Sequence, residues 1–365
     1  MASADDGIAQ ARFAVIGSGW RAAFFLRMAR LMPERFAITA VVSRSAERRA
    51  EVARRWAVPT ATTVADALAI ERPDFVVVST PWAVTPDVIR ELVAHDLPVL
   101  AETPPAPDVA GLRTLWADVG RSGLVQVAEH SPYLPAHAAR LVALRRGLIG
   151  DVTSVQMSST NTYHAIAVIR AMLGVGFGEV AVAARSFSAP LLAPLTRAGW
   201  TGDSQAYSTT TTIATFDFGG GRSGLHDFTD NQGHNPLRTN RIVVRGSRGE
   251  LVDDRIVRLA DERSVVESRL LRRQTGIEQD MTGFDLDHLS LDGEVVYRNE
   301  FRRVRLADDD IAVASLLAGT AAWVAGGPEP YPLAQGSQDH LIGLAIGEAA
   351  STGETVRTAV ESWAP

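Results

Sequence analysis

The sequence predicts an α/β protein in two parts: a parallel α/β domain over residues 10–127, then an α+β domain over residues 128–365 with an open, mainly antiparallel sheet. Three observations lead there. A buried-strand pattern runs into a glycine-rich turn and a helical pattern at Phe13-Ala14-Val15-Ile16-Gly17-Ser18-Gly19-Trp20-Arg21-Ala22. Short apolar strands then alternate with helical patterns as far as Val127. Beyond Ala128 the texture changes to Thr-, Val- and Phe-rich runs separated by glycine turns.

The first stretch carries the spacing of a dinucleotide-binding fingerprint, which makes the first domain a Rossmann domain. Gly17 lets the chain turn sharply off the strand, Gly19 omits a side chain where a pyrophosphate would approach, and Ala22 allows close packing of helix on sheet. Ser18, Trp20 and Arg21 fill the remaining places, and the phosphates would sit on the helix N-terminus. The second strand, Ile38 to Val42, leads to Ser43-Arg44-Ser45, where an acid commonly accepts the ribose 2'-hydroxyl. A hydroxyl followed by arginine suits a 2'-phosphate instead, so NADP(H) is expected to be preferred, with NAD(H) possible. The alternative is a serine helix cap followed by a solvated arginine.

The alternation continues through helices at 46–56 and 64–70, the strand Phe75 to Ser79, and the turn Thr80-Pro81-Trp82. A helix near 86–94, the strand Val99 to Ala101, the turn Glu102-Thr103-Pro104, a helix near 108–122 and a strand at 125–128 complete the domain. Ligands on such sheets bind beyond the carboxyl ends of the strands, where these turns gather. The second domain opens with a helix near 136–146, a strand at 152–158, and Tyr163-His164 at the mouth of an apolar helix ending at Gly174. The segment 259–302 is charged and poorly periodic, a meander or a surface insertion, and the chain ends on helical patterns at 309–324 and 335–350.

Composition narrows the chemistry. Basic and acidic totals of 36 and 42 give a formal charge of -6, which argues against nucleic acid or an anionic membrane as partner. No apolar run reaches membrane-spanning length, and the polar N-terminus is unlike a secretory signal, so a cytoplasmic location is expected. The chain has no cysteine, which removes disulfides, thiolate nucleophiles and cysteine-bound metals. It also has no lysine, so neither a titrating amine nor a Schiff-base nucleophile is available.

With Gly17-Ser18-Gly19, Ser79-Thr80-Pro81, Val99-Leu100-Ala101-Glu102-Thr103-Pro104, Gly147-Leu148-Ile149-Gly150, His164 to Gly174, Val244-Arg245-Gly246-Ser247-Arg248-Gly249 and Ala349 to Gly353 in this order, the chain resembles the Gfo/Idh/MocA oxidoreductases over nearly its whole length. The resemblance implies hydride transfer between nicotinamide and a sugar, cyclitol or related small hydroxy or keto compound, by a homodimer or homotetramer. It also implies departures. The family's Glu-Lys-Pro reads Glu102-Thr103-Pro104, and its usual aspartates around the histidine read Thr160 and Ala167. An asparagine and a histidine near the Thr-Pro turn are replaced by Trp82 and Thr85.

His164 is thus the residue left to exchange a proton, since its ordinary pKa lies near neutrality, with a structural histidine at a helix start as the alternative. Thr103 can orient a hydroxyl but hardly deprotonate it, and Tyr163 stands beside His164, although neighbours on a helix point to different faces. Thr80, Pro81, Trp82 and Glu102 are expected to border the cofactor, and Glu129 and His130, after the sixth strand, to face substrate or to replace the missing lysine. The polar run from His226 to Arg238, His234 included, is either a polyol contact or a solvated loop, and no metal is expected. The other functions open to such a chain are a redox-assisted lyase, epimerase or glycosidase with a tightly held cofactor, and a nucleotide-binding protein without catalysis.

Overall fold

Runs such as Phe75-Val76-Val77-Val78 are buried along their whole length because a parallel sheet with helices on both faces leaves neither row of side chains in water. The computed structural model describes residues 10–196, 198–277, 279–280 and 282–365. Two compact units emerge. Of the described residues, the first comprises those from 10 to 134 with those of 275–285 and 300–337, and the second comprises those of 135–274, 286–299 and 338–365.

In the first unit the chain alternates β1 (Ala11–Ile16), α1 (Ala22–Leu31), β2 (Phe36–Val42), α2 (Ala46–Trp56), β3 (Thr60–Ala61) and α3 (Val64–Ile70). It continues with β4 (Phe75–Val78), α4 (Thr85–Ala94), β5 (Val99–Ala101), α5 (Val109–Val119) and β6 (Val125–Val127). The strands lie in the order β3-β2-β1-β4-β5-β6, and every described pair is parallel. This is the doubly wound order, which reverses between β1 and β4 and opens a crevice there. Helix starts follow local chemistry: Ser45 caps α2, Thr63 and Asp66 form a capping box on α3, and Asp108 caps α5.

The second unit begins with α6 (Pro135–Arg145), β7 (Val152–Ser158), α7 (Thr162–Leu173), β8 (Ala181–Leu192) and a small hairpin of β9 (Leu195–Thr196) and β10 (Gly199–Trp200). It continues through β11 (Ala206–Asp217), β12 (Ser223–Thr229), β13 (Arg241–Gly246), β14 (Gly249–Val252), β15 (Arg255–Leu259), β16 (Val265–Thr275), β17 (Asp285–Leu291) and β18 (Glu294–Arg298). Two helices, α8 (Asp308–Val324) and α9 (Leu333–Thr352), and the short β19 (Val356–Arg357) close the chain. Helix α8 falls in the first unit, where Asp310 pairs with Arg27 of α1.

The large sheet runs β18-β17-β16-β15-β14-β13-β7-β12-β11-β8-β19, mainly antiparallel, with β12 parallel to β7. Val155, Met157, Val182, Ala184, Ala214, Phe216, Ile242 and Val244 are buried on one face. Helix α7 lies against this face, since a Cβ on Gly224 would come within 3.2 Å of Ile169. The charged segment after Leu259 resolves as a meander. Its strands β16, β17 and β18 extend the sheet, so the surface insertion is the alternative that falls away. Its weak apolar period reflects strands buried on one side only, with Arg269, Arg272 and Arg273 left in water.

The tightest steric constraint in the first unit lies at Gly17. Its φ is +113°, and an added Cβ would fall 2.0 Å from the backbone oxygen of Ser79. Gly17→Ala is therefore expected to destabilise the protein by about 1–3 kcal/mol. A urea unfolding midpoint equal to that of the unaltered chain would contradict this account of the turn.

Candidate active site

The crevice between β1 and β4 is bordered by the turn after each strand. Gly17 N–H donates to Val42 O at 2.9 Å and Ser79 N–H to Ile16 O at 2.8 Å, which pins the first turn between its neighbours. Nothing lies within 4 Å of the position a Cβ would take on Gly19, so the backbone there is open to approach. Helix α1 begins without a side-chain cap and has no acidic residue in its first turn. Its first N–H groups and the positive end of its dipole thus suit the pyrophosphate of a dinucleotide.

Beyond β2 the Ser43 hydroxyl stands 3.2 Å from that of Ser18. Arg49 shapes this turn by donating to Ser43 O at 2.7 Å and Arg44 O at 2.9 Å. The cap of α2 is Ser45, which accepts from Arg48 N–H, so the capping alternative does not apply to Ser43. Arg44 is exposed. A cavity of about 410 Å³ opens beside the loop, lined by Ser18, Gly19, Trp20, Arg48, Arg55 and Trp56 among others. Thr80 and Thr85 hydroxyls lie 2.9 Å apart after β4, and Trp20 and Trp82 are both exposed.

Arg21 connects the loops of three strands. Its Nε–H donates to Glu102 Oε1 at 2.6 Å, and its terminal nitrogen meets His130 Nδ1 at 3.2 Å. The Arg21 and Glu102 side chains are only 18% and 12% exposed, so water screens this pair less than a surface one. The other oxygen of Glu102 accepts from Thr103 N–H at 3.3 Å. Glu102 is thus engaged as a structural anion toward Arg21. Glu129 is buried and accepts from Ser131 N–H at 2.8 Å. Asp309, at the start of α8, lies 4.0 Å from His130 Nε2. Sequence reasoning passed over Asp309, although the run Asp308-Asp309-Asp310 at a helix start was a visible signal.

The remaining candidates belong to the second unit. Asn161 precedes α7 without a side-chain cap, and Thr162 takes a φ of +24°, a rare value for a residue with a Cβ. The half-buried rings of Tyr163 and His164 lie 4.4 Å apart at this helix start. Tyr163 also meets His340 of α9 edge-on at 5.6 Å, and Gly343 lets the helices approach, since its Cβ would touch Tyr163 at 3.4 Å. Further along α7, Arg170 pairs with Asp339 at 2.5 Å, each side chain 3% exposed, and also donates to Gly176 O.

Much of the polar run is spent on structure. Gln232 is buried and donates to Ser158 O, Asn235 donates to Leu192 O, and Asp227 pairs with Arg241. His226 is buried against Phe228, its Nδ1 has no hydrogen-bond partner, and burial pushes its pKa down to about 4. His234 is exposed on a short 3-10 turn.

Against this geometry stand the comparisons. Residues 11–130 match the family model described as "Oxidoreductase family, NAD-binding Rossmann fold", GFO_IDH_MocA. This segment is similar to the Gfo/Idh/MocA oxidoreductase family. The matched segment is accordingly similar to the NAD-binding Rossmann unit of oxidoreductases. Similar solved structures span both units. An oxidoreductase from Agrobacterium radiobacter in complex with NAD+, L-tartaric acid and magnesium superposes with a TM-score of 0.68 at 16% identity, covering 95% of this chain and 98% of that one. A myo-inositol dehydrogenase from Corynebacterium glutamicum gives 0.64 at 16%, covering 95% and 98%. GenD2 from gentamicin A biosynthesis in complex with NAD gives 0.64 at 20%, covering 98% and 99%. A search of the curated proteins finds no match. Among the described residues, no helix is long and apolar enough to cross a membrane.

The buried imidazole makes a pH prediction. The unfolded chain binds the His226 proton with an ordinary pKa of 6.5, whereas the folded chain resists it down to about 4. Stability is therefore complete above the upper value and falls as pH drops between the two, by roughly 3 kcal/mol in total. Burial pushes His137 down to about 3, which adds a loss of the same sign. Denaturant midpoints measured across this window should fall for the native chain and fall less for His226→Phe, and parallel curves would refute the assignment.

Proposed function

We propose that the protein is an NADP(H)-dependent oxidoreductase acting on a sugar, cyclitol or related small hydroxy or keto compound, with His164 exchanging the proton at the substrate oxygen. The observation that carries the reading is the open, uncapped phosphate loop at Gly17 to Ala22 within a family of NAD-binding oxidoreductases. Bound nicotinamide supplies the two-electron hydride chemistry. The chain's own residues supply the rest. Gly17, Ser18, Gly19 and the start of α1 accommodate the pyrophosphate, and Thr80, Pro81, Trp82, Glu102 and Thr103 border the nicotinamide end.

The preference for the phosphorylated cofactor rests on the absence of an acid after β2. Ser43 and the exposed Arg44 stand there, while Arg48 in the adjoining cavity is paired with Glu51 at 2.9 Å. Guanidinium groups suit a 2'-phosphate, which an acidic residue would repel. His164 has the residue type for proton exchange near neutrality, with Tyr163 beside it and Thr103 as an orienting hydroxyl. The similar structures in complex with NAD, and the myo-inositol dehydrogenase among them, support the cofactor class and the polyhydroxylated substrate class. The cytoplasm and a homodimeric or homotetrameric state complete the proposal.

One observation favours a second reading. The chain has no lysine, and Thr103 stands where the family's proton-handling lysine would be, which suits a nucleotide-binding protein without turnover. Titration with NADPH and NADH, followed by nicotinamide fluorescence, tests the cofactor assignment. Arg44→Ala should weaken NADPH by about 10- to 100-fold and leave NADH nearly unchanged. Equal losses would sink the NADP(H) preference. In a screen of polyols and keto compounds, His164→Ala should lower kcat by about 100- to 10,000-fold. Undiminished turnover would remove His164 from the chemistry, and cofactor binding without any turnover would favour the second reading.

A further inference from the structure

We infer that Arg21 is a positioning residue that sets the protonation pattern of His130, holding its imidazole as the neutral form with the proton on Nε2. The inference deepens the hydride-transfer reading above and rests on it for the use of that proton. Its basis lies within the first unit. A guanidinium has five N–H donors and no acceptor, so the Arg21 nitrogen 3.2 Å from His130 Nδ1 can only donate. Nδ1 must then offer its lone pair. A neutral imidazole with a lone pair on Nδ1 carries its proton on Nε2, and a second proton on Nδ1 would set N–H against N–H and charge against charge.

The geometry that enforces this is braced on both sides. Glu102 Oε1 accepts from Arg21 Nε–H at 2.6 Å and fixes the guanidinium, while the Phe24 ring lies 4.9 Å from its central carbon. Glu102 is itself anchored by Thr103 N–H. On the far side of the imidazole, the Asp309 carboxylate at 4.0 Å from Nε2 also favours a proton there. A continuous path therefore runs from Thr103 and Glu102 after β5, through Arg21 after β1, to His130 after β6. Arginine keeps its charge throughout the neutral range, so the bias on His130 does not vary with pH there.

A consequence follows for the reaction. His130 presents a donor at Nε2 and cannot act there as a base. Toward a hydroxyl or carbonyl oxygen of the substrate its part is to orient by hydrogen bonding, with no proton transferred, and proton exchange remains with His164. His130 thus takes the orienting role, and Arg21 and Glu102 act through it.

The test is the imidazole nitrogen spectrum of the full chain labelled with 15N-histidine, recorded at neutral pH without cofactor or substrate. The chain has 8 histidines, and the His130 resonances are those missing from His130→Gln. In the native protein, Nε2 should resonate as a protonated nitrogen and Nδ1 as a bare one. In Arg21→Met and in Glu102→Ala the pattern should relax toward a mixture of tautomers. The buried His137 and His226 should keep their native resonances and report that the fold is intact. A native His130 protonated on Nδ1, singly or doubly, overturns the inference even if a variant fails to fold. So does a pattern unmoved in a folded Arg21→Met. Because no ligand enters the measurement, this result is independent of the cofactor titration, and each can fail alone.

Discussion

The turn at Gly17 is the constraint on which the nucleotide-binding unit depends. β1 and β4 are adjacent in the sheet but lead their helices away in opposite senses, and the crevice between them exists only if both chains leave their strands at once. The backbone oxygen of Ser79 occupies the space a side chain on Gly17 would need. From this approach follow the open backbone at Gly19, the exposed start of α1, and the meeting of the turns after β1, β4 and β5. The fingerprint glycines therefore act as a steric condition on the sheet, and the anion site results from it.

An all-arginine basic complement shapes the chemistry around that crevice. With no lysine in the chain, no amine can cycle between charged and neutral states, and the charges near the loops are fixed. Arg21 uses the fork geometry of its guanidinium to bridge Glu102 and His130, which a single ammonium could not do while also keeping both directions. Among the basic side chains only the imidazoles can change charge near neutrality, and that charge depends on where they are buried. The contrast among them is physical: His137 and His226 are held neutral by desolvation, and His164 is only half-buried.

The second unit separates polar residues that build structure from those that face outward. Gln232 and Asn235 satisfy backbone carbonyls at strand ends and Asp227 pairs with Arg241, because buried or half-buried polar groups must find partners. Arg170 and Asp339 do the same between α7 and α9. Such pairs add little net stability over an apolar pair, yet either charge left alone would be costly, so the pair specifies how the two helices meet. Tyr163 and His164 stand at the helix end where regular geometry breaks down at Thr162.

The sequence by itself determined the alternation of strands and helices, the parallel sheet and its fingerprint turn, and the antiparallel character of the second domain, because each rests on local periodicity and on glycine placement. It left the 259–302 segment open, since strands buried on one side and rich in arginine carry only a weak period. Only the tertiary structure decided how the candidate side chains are used. Arg21, Glu102 and His130 are up to 109 residues apart and share no local pattern, so their connection exists only once β1, β5 and β6 lie in one sheet. The approach of Tyr163 to His164 depends on their side-chain rotamers, and the consumption of the polar run by the sheet depends on strand register. Periodicity reports which face of an element is buried, and it carries no information about which distant side chain a charged or polar group will meet.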